Sequence, residues 1–163
     1  MFRPMRRAAQ ELPREETEAI LARGTAGVLA LQGDDGYPYA VPMSYLYADG
    51  CLWFHCGTEG HRMDSIARSE KASFCVIDRD EVIPQENTTY YRSVIAFGRI
   101  ERVTEADDRL RGHLLFTRRY NPGYDSVRGE QPGNVVMLCM RIEHMTGKEA
   151  KKLSDMRREA NGQ

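Results

Sequence analysis

The sequence predicts a mainly β chain, folded as an antiparallel barrel or sandwich with short helices inserted. Three observations predict it. About six strand-like runs occur, two of the connections being tight turns with an Asp-Gly step. Helical spacing is confined to short segments. No βαβ series with a glycine-rich turn is present, which removes a doubly wound sheet. The 163 residues suffice for one domain with a substantial core.

The elements follow in order. Leu12 to Arg23 reads as a helix, with Pro13 in its first turn, Glu15 and Glu16 behind it, and Gly24 as a stop. Ala26 to Gln32 is an apolar strand, and Asp34-Asp35-Gly36 turns the chain. Tyr37 to Tyr47 resumes the sheet, and Ala48-Asp49-Gly50 makes a second hairpin turn into the strand Cys51 to Cys56. Glu59 to Glu70 reads as a helix with Met63, Ile66 and Ala67 on one side. Ala72 to Ile77, Tyr91 to Val103 and Asn134 to Thr146 are further strands. Glu105 to Tyr120 carries Leu110, Leu114 and Leu115 at helical spacing, with Gly112 as a weak point, and Asn121-Pro122-Gly123 stops it. A loop then runs to Gly133, and the charged segment after Gly147 is an exposed helix or disordered. The division expected is a barrel domain over 1–150 and a charged C-terminal tail over 151–163.

Composition excludes several classes. Hydrophobic residues at 41% and charged residues at 29% are globular values. A net charge of -1 gives no basic excess for nucleic acid. No window approaches the roughly 20 apolar residues of a spanning helix, and the stretch from Met1 to Glu16 has positive charge but no apolar run. A cytoplasmic location without membrane partner is expected. Cys51, Cys56, Cys75 and Cys139 form no C-x-x-C pair, so buried free thiols are expected and no metal site.

Four segments could carry chemistry. In the strand Cys51 to Cys56, Leu52, Phe54 and Cys56 fall on one face, suited to an interior, while Trp53 and His55 fall on the other. An exterior Trp53 needs cover, from a second subunit, a planar ligand or a helix of its own chain. Gly57-Thr58-Glu59-Gly60-His61-Arg62 opens the next helix. Free N–H groups, a hydroxyl and a guanidinium there attract phosphate, although a solvated first turn looks the same. Pro42 marks an edge or bulge, where Pro42-Met43-Ser44-Tyr45 could line a flat, hydrogen-bonding cofactor. Arg92 and Ser93 lead into the apolar run Val94 to Phe97, and Gly98 invites a bulge or a close backbone approach. His113 and His144 read as surface or partly buried structural histidines. No Gly-x-Ser-x-Gly elbow or acidic pair suggests other catalysis.

These segments, in their order and spacing, resemble the pyridoxamine-phosphate-oxidase-like flavoproteins, and within them the nitroimidazole-resistance (Nim-type) reductases. The resemblance runs from Met5-Arg6-Arg7 to Thr146-Gly147-Lys148. It is carried by Gly36-Tyr37-Pro38 leading to Pro42-Met43-Ser44-Tyr45, by Trp53-Phe54-His55 followed by Gly57, Gly60 and Arg62, and by Ser93 to Gly98. It implies a six-stranded antiparallel split β-barrel and a homodimer with FMN at the interface. It also implies flavin contacts from Pro42, Met43, Ser44, Tyr45, His55, Cys56, Gly57, Thr58 and His61, a phosphate contact from Arg62 and a polar contact from Ser93. His55 is the implied catalytic residue, histidine being the side chain that exchanges protons nearest neutrality. The activity implied is reduction of a small nitroaromatic, with a nicotinamide cofactor as electron donor. True pyridoxamine phosphate oxidases end in a tryptophan-bearing segment with an Arg-x-His pair. Here the single tryptophan is Trp53 and the corresponding end is Arg141-Ile142-Glu143-His144, which sets the chain apart from the enzymes that oxidise the B6 vitamer. Two other readings stand beside this one: a haem-binding split barrel with His55 or His61 as axial ligand, and a flavin-binding module without catalysis.

Overall fold

A computed structural model describes residues 1–123, 135–160 and 162. One antiparallel sheet of seven strands, rather than six, dominates it: β1 (Ala26–Gln32), β2 (Pro38–Ser44), β3 (Leu46–Ala48), β4 (Cys51–Gly57), β5 (Lys71–Ile83), β6 (Thr88–Arg102) and β7 (Val135–Glu149). Among the described residues four α-helices accompany it: α1 (Arg14–Arg23), α2 (His61–Arg68), α3 (Ala106–Tyr120) and α4 (Lys151–Ala160). The loop expected as far as Gly133 lies, from residue 124 on, outside the described residues, as does Asn134.

The additional strand comes from a bend. Strand order is β2-β1-β5-β6-β7-β4-β3, so β2 and β3 hold opposite edges of the sheet, yet only Tyr45 separates them in sequence. The run read as one strand therefore crosses from one edge to the other, and the sheet curls around a common interior. Tyr45 is fully buried at this seam. Its N–H donates to the Thr25 carbonyl (3.1 Å) and its hydroxyl to the Leu21 carbonyl (2.8 Å), one of the acceptors left open at the end of α1. Burial pushes the Tyr45 phenol well above its ordinary pKa.

The interior is filled by the inward residues of alternating strands, with Leu29, Leu52, Phe54, Phe74, Leu138 and Met140 all fully buried. The Asp49–Gly50 turn has both residues at positive φ between the paired Ala48 and Cys51, the backbone a two-residue hairpin needs. At Gly98 the β6–β7 ladder bulges, and a Cβ would collide with the Arg141 carbonyl. Strands β5 and β6 run on beyond their apolar cores as a charged hairpin, in which Arg79 lies 5.5 Å from the Tyr90 ring centroid.

The C-terminal segment is helical and packs. Leu153 is buried beside Tyr90 and Ala150, and the fully buried Glu149 accepts from Arg157 (2.8 Å) and Arg92 (3.0 Å). The four cysteines are free, three of them buried. Burial, with a hydrogen bond to Cys51, pushes the Cys139 thiol up to about 12. Among the described residues no helix is long and apolar enough to cross a membrane.

Candidate functional site

Strand β4 organises the site. Its alternation sends Leu52, Phe54 and Cys56 into the main core and Cys51, Trp53 and His55 to the outer face. Helix α3 lies against that outer face. Its Gly112 sits so close that a Cβ would stand 2.9 Å from the Trp53 ring and 3.0 Å from Met137. Trp53 is thus covered by its own chain, with Phe116, Met137 and Cys139 around it. Neither a partner nor a ligand is needed to shield it, which removes that ground for a dimer.

His55 lies two residues along the same face and is exposed. The Phe116 ring meets its imidazole edge-on, with centroids 5.0 Å apart and planes at 88°. Between β4, β7 and α3 opens a groove of about 490 Å³ lined by Ser44, His55, His113, Phe116, Thr117, Tyr120, Asn121, Val135 and Met137. Its walls are mainly apolar, with a few polar groups that converge on one space, the usual make-up of a small-molecule pocket. The Tyr120 hydroxyl donates to the Tyr45 carbonyl and lies 3.0 Å from the Thr25 carbonyl, which pins the end of α3 to the barrel seam.

Of the residues expected from the sequence, Ser44 and His55 meet in this groove. Met43, Tyr45 and Cys56 turn their side chains into the core, so the contacts expected of them reduce to backbone atoms. Cys56 Sγ lies 3.8 Å from Met63 Sδ there. Pro42 is exposed on the edge strand β2. Gly57 and Thr58 are exposed where β4 ends, and Gly60 holds φ at +106° before α2, a conformation suited to glycine. Arg62 is half-buried, and its Nε is buried without a hydrogen-bond partner among the described residues. His61 points elsewhere. It stacks on Tyr39 at 4.0 Å and places Nε2 3.3 Å from Asp34, a carboxylate that Arg68 holds below its ordinary pKa. Ser93 lines a second groove, with Ile95, Phe97, His144 and Lys148, on the outward face of β6 and β7.

Sequence reading missed the contribution of α3. Of the leucines noted at helical spacing, Leu115 packs against the cluster around Trp53 and Leu110 is 54% exposed, while Gly112 and Phe116 are the buried residues of the helix. The glycine four residues before a phenylalanine was the available signal, because these positions share a helix face. His113, read as structural, lines the groove beside His55.

A family model described as pyridoxamine 5'-phosphate oxidase matches residues 13–149. No curated protein is significantly similar in sequence. Solved structures are similar in fold. One, from Bacteroides thetaiotaomicron, is described as a candidate 5-nitroimidazole antibiotic resistance protein; it is 20% identical with a TM-score of 0.71, over 85% of this chain and 86% of that one. An FAD-binding protein from Mesorhizobium loti is 23% identical with a TM-score of 0.65, over 86% and 95%. An FAD and haem binding protein from Mycobacterium smegmatis is 23% identical with a TM-score of 0.73, over 88% and 74%.

Proposed function

Because the chain belongs to the pyridoxamine 5'-phosphate oxidase family, we propose that it binds FMN and reduces a small, flat, electron-poor acceptor such as a 5-nitroimidazole, with a nicotinamide cofactor as the electron donor. The observation that carries this reading is Arg62. Its guanidinium is half-buried, its Nε has no protein partner among the described residues, and it stands at the start of α2 beside the open backbone of Gly57 and Gly60. The first hydrogen bond of α2 runs from Asp64 N–H to the Gly60 carbonyl, so the N–H groups before it lack helix partners. Such a cradle fits one phosphate.

Bound flavin supplies the electron transfer, and the chain positions it. Arg62, Thr58 and the N-terminus of α2 hold the phosphate. The free edge of β2 at Pro42 and Ser44 offers polar backbone to the ring. His55 delivers a proton or a hydrogen bond to the acceptor in the groove, whose apolar walls limit water. Reconstitution followed by acid release and chromatography tests the cofactor: FMN is expected. Recovery of FAD alone would overturn the single-phosphate reading, and a haem spectrum would favour His55 or His61 as an axial ligand.

The assembly follows from the other face. Val28, Cys75, Ile95 and Thr146 form one cross-strand row over β1, β5, β6 and β7. Val28 and Ile95 are 38% and 42% exposed, and Ile77 nearby is 68% exposed. An apolar patch of this kind suits a two-fold pairing with a second copy. Ser93 borders that patch, away from His55, so a site shared between copies would draw on both faces. Ile95→Asp is expected to give a monomer by light scattering at micromolar concentration. An unchanged dimer would move the interface elsewhere, and a monomeric wild type would remove it.

A further inference from the structure

We propose that His113 is a specificity-determining residue of the groove, hydrogen-bonding an oxygen acceptor on an aromatic ligand, as a nitro group presents, from the wall opposite the sheet. The proposal rests on the reading of the groove as the acceptor site. Nothing in that reading uses His113.

Three observations lead to it. First, α3 can deliver this side chain because Gly112 lets the helix settle onto Trp53 and Met137, so the neighbouring His113 reaches the groove. Second, His113 Nε2 is buried and has no hydrogen-bond partner among the described residues. Buried imidazole nitrogens are ordinarily paired, and this one belongs to a side chain that lines the groove, where a ligand can supply the partner. Third, the surrounding groups do not supply that partner. Phe116, Val135 and Met137 are apolar, and among the described residues none of the polar groups that line the groove, Thr117 included, makes a hydrogen bond to Nε2.

The ligand chemistry follows from the two walls. His55 stands on β4 and His113 on α3, with Phe116 on the same helix face as His113 and edge-on to His55. A flat ring fits between apolar walls, and a polar substituent pairs with the imidazole. With its proton on Nε2, His113 donates to an oxygen. A ligand of the same shape without that oxygen leaves the nitrogen buried and unpaired, which is how a site rejects an analogue lacking one polar group.

The test uses the flavin-loaded protein, with 2-methyl-5-nitroimidazole and 2-methylimidazole as probes and two variants, His113→Leu and His113→Gln. For His113→Leu, the KM for the nitro compound in reoxidation of the reduced flavin and its Kd by titration are each expected to rise about tenfold, the scale of one hydrogen bond. The limiting rate should change little, and so should 2-methylimidazole binding and FMN affinity. His113→Gln, which keeps a donor, should recover most of the nitro affinity, and it alone decides if the leucine variant does not fold. Equal weakening of both probes, or none, would overturn the role of His113. Loss of FMN would make it a cofactor residue instead. A wild-type protein whose reduced flavin the nitro compound does not oxidise would overturn the acceptor site as well, whereas normal turnover with an unchanged KM in both variants would overturn His113 alone.

Discussion

Replacing His55 with alanine is expected to slow reoxidation of the reduced protein by a nitroimidazole about 10²–10⁴-fold, the usual contribution of a positioned general acid. FMN and the fold should survive. His55 is exposed on the outer face of β4, so its loss opens no cavity in the barrel core, and the proposed phosphate cradle begins beyond it at Gly57. Stopped-flow reoxidation decides between roles. A variant with intact flavin and an unchanged rate would remove His55 from proton delivery. A variant that loses its flavin would make His55 a binding residue. The limiting rate is the informative quantity, because a proton donor acts in the transition state while a packing residue shifts binding.

Replacing Arg62 with alanine should weaken FMN binding by about 1.5–3 kcal/mol, roughly 10–150-fold, the cost of losing a hydrogen bond to a charged group. Riboflavin, which lacks the phosphate, should bind wild type and variant alike. The comparison is sharp because Arg62 makes no ion pair in the described structure to lose. Fluorescence titration of each flavin supplies the measurement. Equal weakening for both flavins would assign Arg62 to packing around α2.

Much of the site's frame was legible in the sequence because it is local. The alternation in Cys51 to Cys56 assigned Leu52, Phe54 and Cys56 inward and Trp53 and His55 outward, and the structure agrees. The Asp49–Gly50 turn and the start of β1 at Ala26 were equally readable. What was not legible depends on elements remote in sequence. The bend at Tyr45 is required by curling of the whole sheet, and nothing within Tyr37 to Tyr47 breaks the strand pattern there. His61 is drawn aside by Asp34 and Tyr39, which reach it only when α2 docks on the first hairpin. The seated face of α3 was not identified because periodicity weighs bulk, whereas the closest approach to the sheet falls at Gly112, the position with no side chain. Ser93 and His55 were grouped by resemblance, and the fold separates them onto two faces of one protomer.

The placement of α3 bears on how such a site diversifies. Strands β6 and β7 pair directly with each other, from Arg92 opposite Glu149 to Arg102 opposite Leu138. Topologically, therefore, α3 is cargo carried in a hairpin connection. With Gly112 keeping its seat on Trp53, it can lengthen or exchange its groove-facing residues without disturbing a rung of the β6–β7 ladder, because the strands it joins are already neighbours. Loop closure entropy grows only slowly with the length of such an insert. The barrel can then keep its register and its β4 histidine while the facing wall drifts, so relatives with superimposable sheets can diverge in what they accept through this one excursion of the chain.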